Sequence, residues 1–187
     1  GSCLGPLLFV IYINDLPDRL SCAIKLYADD SKIIKVIKKA EDADELQHDV
    51  DRLGEWSSDW LMPLNIEKCE TLHVHGTGGD KSASKRVYTM LDSEGVRHEL
   101  KTSTLTRDLG VMLTPALRWD QHARTAAGKA NRVFGLMKRT FRSRTPRLWR
   151  GLLLQYIRPH LEFASQACSP HLRSDIDVLE RIQRRVT

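Results

Sequence analysis

Leu26-Tyr27-Ala28-Asp29-Asp30 is the stretch on which the reading of this chain turns. Ala23-Ile24-Lys25-Leu26 leads into it and Ser31-Lys32-Ile33-Ile34-Lys35-Val36-Ile37 follows, two β-prone runs with adjacent carboxylates at the bend between them. The pattern predicts a tight hairpin carrying Asp29 and Asp30. Neighbouring carboxylates repel each other and are costly to keep ionised near an apolar strand, so they suit a cation that neutralises them. With oxygen ligands alone, and no His or Cys beside them, that cation is Mg²⁺, with Mn²⁺ the alternative. The competing reading is a solvated hairpin tip, since Asp-Asp is a frequent turn sequence.

The 187 residues suffice for one ordinary domain or two small ones, and 41% hydrophobic content supports a real core. The longest apolar run, Leu7 to Ile13, is far too short to span a bilayer, and no charged segment precedes it as in a signal peptide. No membrane partner is expected. Cys3, Cys22, Cys69 and Cys168 lie far apart with no Cys-x-x-Cys, which reads as reduced intracellular thiols rather than a zinc ribbon or a disulfide framework. The net charge of +5 hides an asymmetry: residues 1–117 hold 14 Lys+Arg against 19 Asp+Glu, and residues 118–187 hold 15 against 5. The second part is the candidate for contacting phosphate.

In chain order, Pro6 suits the first turn of a helix running through Leu7, Leu8, Phe9, Ile11 and Tyr12 to about Leu16, where Pro17 stops it. The absence of an initiator Met suggests an internal piece of a longer chain, and Gly1-Ser2 could equally be a cloning scar. Leu46, Val50, Leu53, Trp56 and Trp60 recur at helical spacing and mark an amphipathic helix ending before Pro63. Leu64-Asn65-Ile66-Glu67-Lys68 is a turn into a strand from Cys69 to His75, whose Thr71, His73 and His75 share a face. Cys69, His73 and His75 lack a fourth ligand and read as a half-exposed sheet surface rather than a metal site. Gly76 to Ser82 has the glycines of a phosphate loop but Asp80 before Lys81, and reads as a surface loop through Arg86. Val87–Leu91 and Val96–Leu100 flank Asp92-Ser93-Glu94-Gly95 as a hairpin, and Leu105 to Leu113 forms another strand.

From Trp119 onward the pattern is helical. Trp119, Ala123, Ala126, Ala130, Val133, Met137 and Phe141 define a buried stripe. At about 100° per residue, Arg124, Gly128, Arg132, Gly135, Arg139 and Arg142 project to the other side within roughly 80°. Such a face lets a phosphodiester backbone approach at the glycines while the arginines pair with phosphates; the alternative is a solvated arginine face weakened by two glycines. Pro146 opens a second helix that buries Leu148, Trp149, Leu152, Leu153 and Tyr156 and ends near Pro159. A third starts at Ser174 as N-cap, carries Ile176, Leu179, Ile182 and Val186, and closes with Arg181, Arg184 and Arg185.

With these residues in view, the chain resembles the second half of a LINE-type, non-LTR retrotransposon reverse transcriptase of the jockey-like branch. Gly1-Ser2-Cys3-Leu4-Gly5-Pro6-Leu7-Leu8-Phe9 resembles the family's nucleotide-pocket motif, and Ile13-Asn14-Asp15-Leu16-Pro17 continues it. Tyr27-Ala28-Asp29-Asp30 is similar to the metal box, Asn65 and Lys68 to the Asn-x-x-Lys motif, and Leu109-Gly110-Val111 to the primer-gripping hairpin. Arg158-Pro159-His160-Leu161-Glu162-Phe163-Ala164 and Leu179 to Arg185 resemble segments after the thumb.

The resemblance implies an α+β fold: part of a right-hand polymerase palm, an antiparallel sheet with packed helices, over 1–115, then an all-helical thumb over 116–187. It implies an RNA-directed DNA polymerase acting through two metal ions roughly 4 Å apart, with an RNA template, a DNA primer and deoxynucleoside triphosphates as partners and a nuclear location. Asp29 and Asp30 would be catalytic and metal-binding, Gly1, Leu4, Gly5, Pro6 and Tyr27 substrate-binding, and Leu109, Gly110 and Val111 the primer grip. Lys68 would stand near the departing pyrophosphate, with an exposed lysine at a strand start as the alternative. The family's first catalytic aspartate and its fingers region are missing from these residues, so the N-terminal palm and fingers of a parent polyprotein become expected partners. Alone, the fragment is expected not to polymerise. A different class of reading is a non-catalytic nucleic-acid-binding remnant that uses the basic helix without chemistry.

Overall fold

The computed structural model describes residues 3–76, 86–92, 94–143 and 145–186. The chain divides into two compact units, Gly1–His73 with Gly78–Ser103, and Val74–Thr77 with Thr104–Thr187. The predicted loop between Gly76 and Arg86 falls almost wholly outside the described residues, as do Gly1 and Ser2.

In the first unit, helix α1 (Leu4–Ile13) is apolar on every side, and Leu4, Leu7, Leu8, Val10 and Ile11 are all exposed while Ile13 is buried. It ends earlier than expected, and Pro17 stops nothing: it sits in the first turn of a short helix α2 (Leu16–Arg19). A proline there forfeits no helical hydrogen bond. Strands β1 (Ala23–Tyr27) and β2 (Asp30–Ile34) form the expected antiparallel hairpin. Helix α3 (Ala40–Asp59) starts where the Asp42 carboxylate accepts the Lys38 and Lys39 N–H groups at 2.7 and 2.9 Å. Its Val50, Leu53 and Trp56 are buried with Ile13, Leu16, Tyr88, Met90 and Leu100, and Leu46 and Trp60 pack at the margin. The helical spacing in the sequence thus located both the helix and its buried face.

The strand expected from Cys69 to His75 is reduced to β3 (Glu70–Thr71) after a 3₁₀ turn at Ile66–Lys68. Strands β4 (Thr89–Leu91) and β5 (Arg97–Glu99) form the predicted hairpin, its turn held by the Asp92 carboxylate, which accepts the Glu94 and Val96 N–H groups at 2.9 and 2.8 Å. Strand β6 (Lys101–Thr102) pairs with β3 in parallel, and because β6 ends at Thr102 the backbone beyond Thr71 has no ladder to continue. Each ladder among the described residues has two strands, and one is parallel. The mixed α and β content is therefore as expected. The single antiparallel sheet is not: strands of two to five residues leave each ladder isolated.

In the second unit, the expected strand Leu105–Leu113 is a hairpin, β7 (Thr106–Asp108) and β8 (Val111–Leu113), turning at Leu109-Gly110. Both turn residues have positive φ, 45° and 88°, the conformation of a type I′ turn, whose twist matches the flanking strands. Helix α4 (Asp120–Thr140) buries Ala123, Ala126, Ala130 and Met137 as predicted, with Ala127 and Phe134 joining them. Phe141 lies beyond the helix end and is exposed, so Phe134 is the aromatic that fills the core.

Helix α5 (Pro146–Leu152) runs into a π-helical turn, Leu153–Ile157, and then into α6 (Arg158–Leu161). The wider turn carries Tyr156 out to 53% exposure and leaves Ile157 fully buried, reversing the expectation for Tyr156. It also restarts the helix at Arg158, so Pro159 occupies a first turn instead of ending the element. Helix α7 (Arg173–Val186) begins one residue before Ser174, which is therefore not its N-cap; the Leu172 carbonyl accepts the Asp175 and Ile176 N–H groups instead. Ile182 seals α7 onto the core of Ala127, Ala130, Phe134, Met137, Leu152, Leu153 and Ile157.

Candidate active site and nucleic-acid interface

The hairpin β1–β2 closes through two residues, Ala28 and Asp29, with Tyr27 opposite Asp30. Ala28 has φ of 51°, a conformation that costs a residue with a Cβ about 1 kcal/mol or more and that the two-residue turn imposes. Tyr27, Asp29 and Asp30 are all exposed, and neither aspartate is ion-paired among the described residues. Both carboxylates therefore remain available to a ligand. As donors they fit a hard divalent cation in kind, being oxygen alone. In number they fall short of a closed site, for among the described residues no group of three or more His, Cys, Asp or Glu could hold a metal ion.

The base of this hairpin is fixed by a residue that the motifs did not single out. Asp49 on α3 has no exposed surface; its carboxylate accepts the Ser21 N–H at 3.0 and 3.1 Å and the Cys22 N–H at 2.6 Å, with Arg52 Nη1 at 3.3 Å. Burial alone would push its carboxyl up, but the Cys22 thiol, the Ser21 and Cys22 N–H groups and Arg52 together hold it below the usual carboxylate value. The same arrangement pushes Cys22 up to about 11, first through burial and then through its bond to Asp49. The signal was present: at about 100° per residue Asp49 falls between Trp56 and Trp60, a charge inside an apolar stripe. Such a residue has to be satisfied by neighbouring backbone.

The remaining predicted residues of the first unit are placed as follows. Leu4, Gly5 and Pro6 form the exposed first turn of α1, and Gly1 lies outside the described residues. Lys68 ends the 3₁₀ turn and is exposed, its N–H donating to the Asn65 carbonyl at 3.0 Å. His73 stacks on Tyr88 at 6.1 Å, and its Nε2 is buried without a hydrogen-bond partner among the described residues.

In the second unit, Leu109 is half exposed at its turn, Val111 opens β8, and Gly110 is held at close quarters. A Cβ at Gly110 would meet the Phe163 ring at 3.0 and 3.1 Å. His122, buried on α4, accepts the Met112 N–H at Nδ1 (3.4 Å), while its Nε2 lies 3.3 Å from the Phe163 carbonyl. A neutral ring with the proton on Nε2 satisfies both contacts. His122 carried no motif in the sequence, and Phe163 was noted only within the Arg158–Ala164 segment, not as a brace for this turn.

The basic face of α4 is placed as predicted. Arg124, Gly128, Arg132 and Arg139 are exposed, Arg142 is exposed just past the helix end, and Gly135 is partly covered. A Cβ at Gly128 or Gly135 would meet nothing within 4 Å, so the backbone there is open to a close approach.

No family model and no solved structure matches this chain. Over 132 residues it is 27% identical to the RNA-directed DNA polymerase from mobile element jockey of Drosophila melanogaster. This supports a distant relationship to a retrotransposon polymerase. The match covers 65% of this chain and 13% of that much longer protein. Among the described residues no helix is long and apolar enough to cross a membrane.

Proposed function

We propose that this chain is a portion of a mobile-element RNA-directed DNA polymerase, residues 1–115 from the palm and residues 116–187 from the thumb. The observation that carries the reading is the two-residue hairpin that leaves Asp29 and Asp30 exposed beside Tyr27, in a chain distantly related to such a polymerase. Asp29 is the first choice as metal ligand, and Asp30 the second because successive strand residues face opposite ways. The divalent cations they would hold supply charge neutralisation at the attacking and leaving oxygens of nucleotidyl transfer. Tyr27 would pack against the primer terminus, and the first turn of α1, Leu4, Gly5 and Pro6, would border the nucleotide. Lys68 would neutralise the departing pyrophosphate, the β7–β8 turn would support the primer backbone, and α4 would set its arginines against phosphates.

The two aspartates alone do not complete the ligand set, so these 187 residues are proposed to be inactive in isolation. Primer extension on an RNA template with Mg²⁺ should give no product, whereas clear incorporation would refute that. The shortfall of carboxylates also favours a second reading, a nucleic-acid-binding module without chemistry. The two part on Asp29→Asn with Asp30→Asn: the polymerase reading expects weaker divalent-ion binding with duplex binding retained, and the binding-module reading expects neither property to change.

A further inference from the structure

The basic face of α4 does not end at α4. At the C-terminal end of α7, Arg185 Nη1 donates to Asn131 Oδ1 of α4 at 3.2 Å, and its guanidinium lies 5.9 Å from the centre of the Phe134 ring. Lys138 Nζ lies 5.5 Å from the centre of the same ring. Around α4, at about 100° per residue, Asn131 and Lys138 fall within roughly 40° of Arg124, immediately beside the arginine and glycine sector. Arg185 is thus seated on the border of that sector by a hydrogen bond and an aromatic face.

From Arg185 a cationic stripe runs back along α7. Arg185, Arg181, Arg184 and Arg173 fall within roughly 120° of one another, and with Asp177 they line an open hollow of about 540 Å³. Two of the four are neutralised along the helix, Arg173 by Asp177 at 3.3 Å and Arg184 by Glu180. Arg181 stands four residues after Asp177, which pairs with Arg173 instead. Neither Arg181 nor Arg185 has a carboxylate partner among the described residues. A helix edge that served only solubility would have little reason to hold a guanidinium in place against Asn131 while leaving it without a counter-charge.

We infer that Arg181 and Arg185 extend the α4 face into a two-helix surface for the phosphodiester backbone of a nucleic-acid duplex, with Arg185 as the bridging contact. The inference rests on the reading that α4 binds nucleic acid. Guanidinium groups suit phosphate because they can donate two parallel hydrogen bonds, and a residue already ordered loses less on binding.

The test is binding of a labelled RNA–DNA hybrid by the full chain across a salt series, with thermal unfolding as a check on folding. Arg181→Gln with Arg185→Gln should lower affinity about tenfold and reduce the slope of log affinity against log salt by about 2. Arg181→Gln alone, on an exposed side chain, should reduce the slope by about 1. Asn131→Ala, which changes no charge, should weaken binding in the same direction by releasing Arg185. Unchanged affinity and slope in the α7 variants, while Arg132→Gln with Arg139→Gln still weakens binding, would overturn the extension and leave α4 standing. No binding by the parent chain, or no loss in the Arg132 and Arg139 variant, would overturn the α4 reading and this one with it.

Discussion

The two hairpins with two-residue turns are held in opposite ways. The β1–β2 hairpin is anchored at its base, where Asp49 collects the Ser21 and Cys22 N–H groups, while its tip, Ala28-Asp29, is open. The β7–β8 hairpin is anchored near its tip, where Phe163 presses on Gly110 and His122 takes the Met112 N–H. An open tip suits side chains that must meet a ligand. A braced tip suits a turn whose backbone itself serves as the support.

The largest expected effect breaks the base of the first hairpin. Asp49→Ala leaves two backbone donors facing a buried gap and should lower stability by about 3 kcal/mol, read as a fall in the denaturant midpoint. Asp49 also gives a pH signature. Its carboxyl is depressed in the folded chain, so its contribution is present above the ordinary unfolded carboxylate value and disappears as pH falls through the lower folded one. Asp49→Asn should flatten that part of the stability profile below about pH 4.

Breaking the braced tip comes next. Gly110→Ala adds a methyl 3.0 Å from Phe163 at φ of 88° and should cost about 2 kcal/mol. At the open tip glycine is favoured as well, but by less, because only the backbone conformation is at stake there. Ala28→Gly relieves left-handed strain where nothing presses on the turn, and should stabilise by about 0.5 kcal/mol after the extra unfolded-chain entropy of glycine is counted. A preference for glycine over alanine of equal size at the two turns in thermal unfolding would erase the contrast.

On α4, Gly128→Ala and Gly135→Ala should each stabilise by up to about 1 kcal/mol because the methyl meets nothing. If the glycines exist to admit a phosphate backbone, the same variants should bind an RNA–DNA hybrid more weakly while melting higher. Stabilisation without loss of binding would make them ordinary surface positions.

Much of this was legible in the sequence because strong periodicity survives packing. Leu46 to Trp56, Ala123 to Met137, and the run around Tyr27-Ala28-Asp29-Asp30 each declare an element through spacing alone. What escaped was set by partners distant in sequence. Glu70-Thr71 stops being a strand where its parallel partner at Lys101-Thr102 stops. Tyr156 is displaced by a π turn that no composition signals. Asp49 was hidden in plain view, because an apolar stripe was read for its apolar members and not for the charge lodged among them. The exposed acids and arginines carried motifs, whereas Asp49, which holds the base of the first hairpin, and Asn131, which holds Arg185, did not.

The most direct measurement for the central claim is a Mn²⁺ titration of the 187-residue chain, followed by water-proton relaxation in the presence of an RNA–DNA hybrid and a deoxynucleoside triphosphate. The account expects bound Mn²⁺ that depends on protein, nucleic acid and nucleotide together, weakened about tenfold or more by Asp29→Asn with Asp30→Asn. Equal Mn²⁺ binding by the parent and the double variant would contradict it.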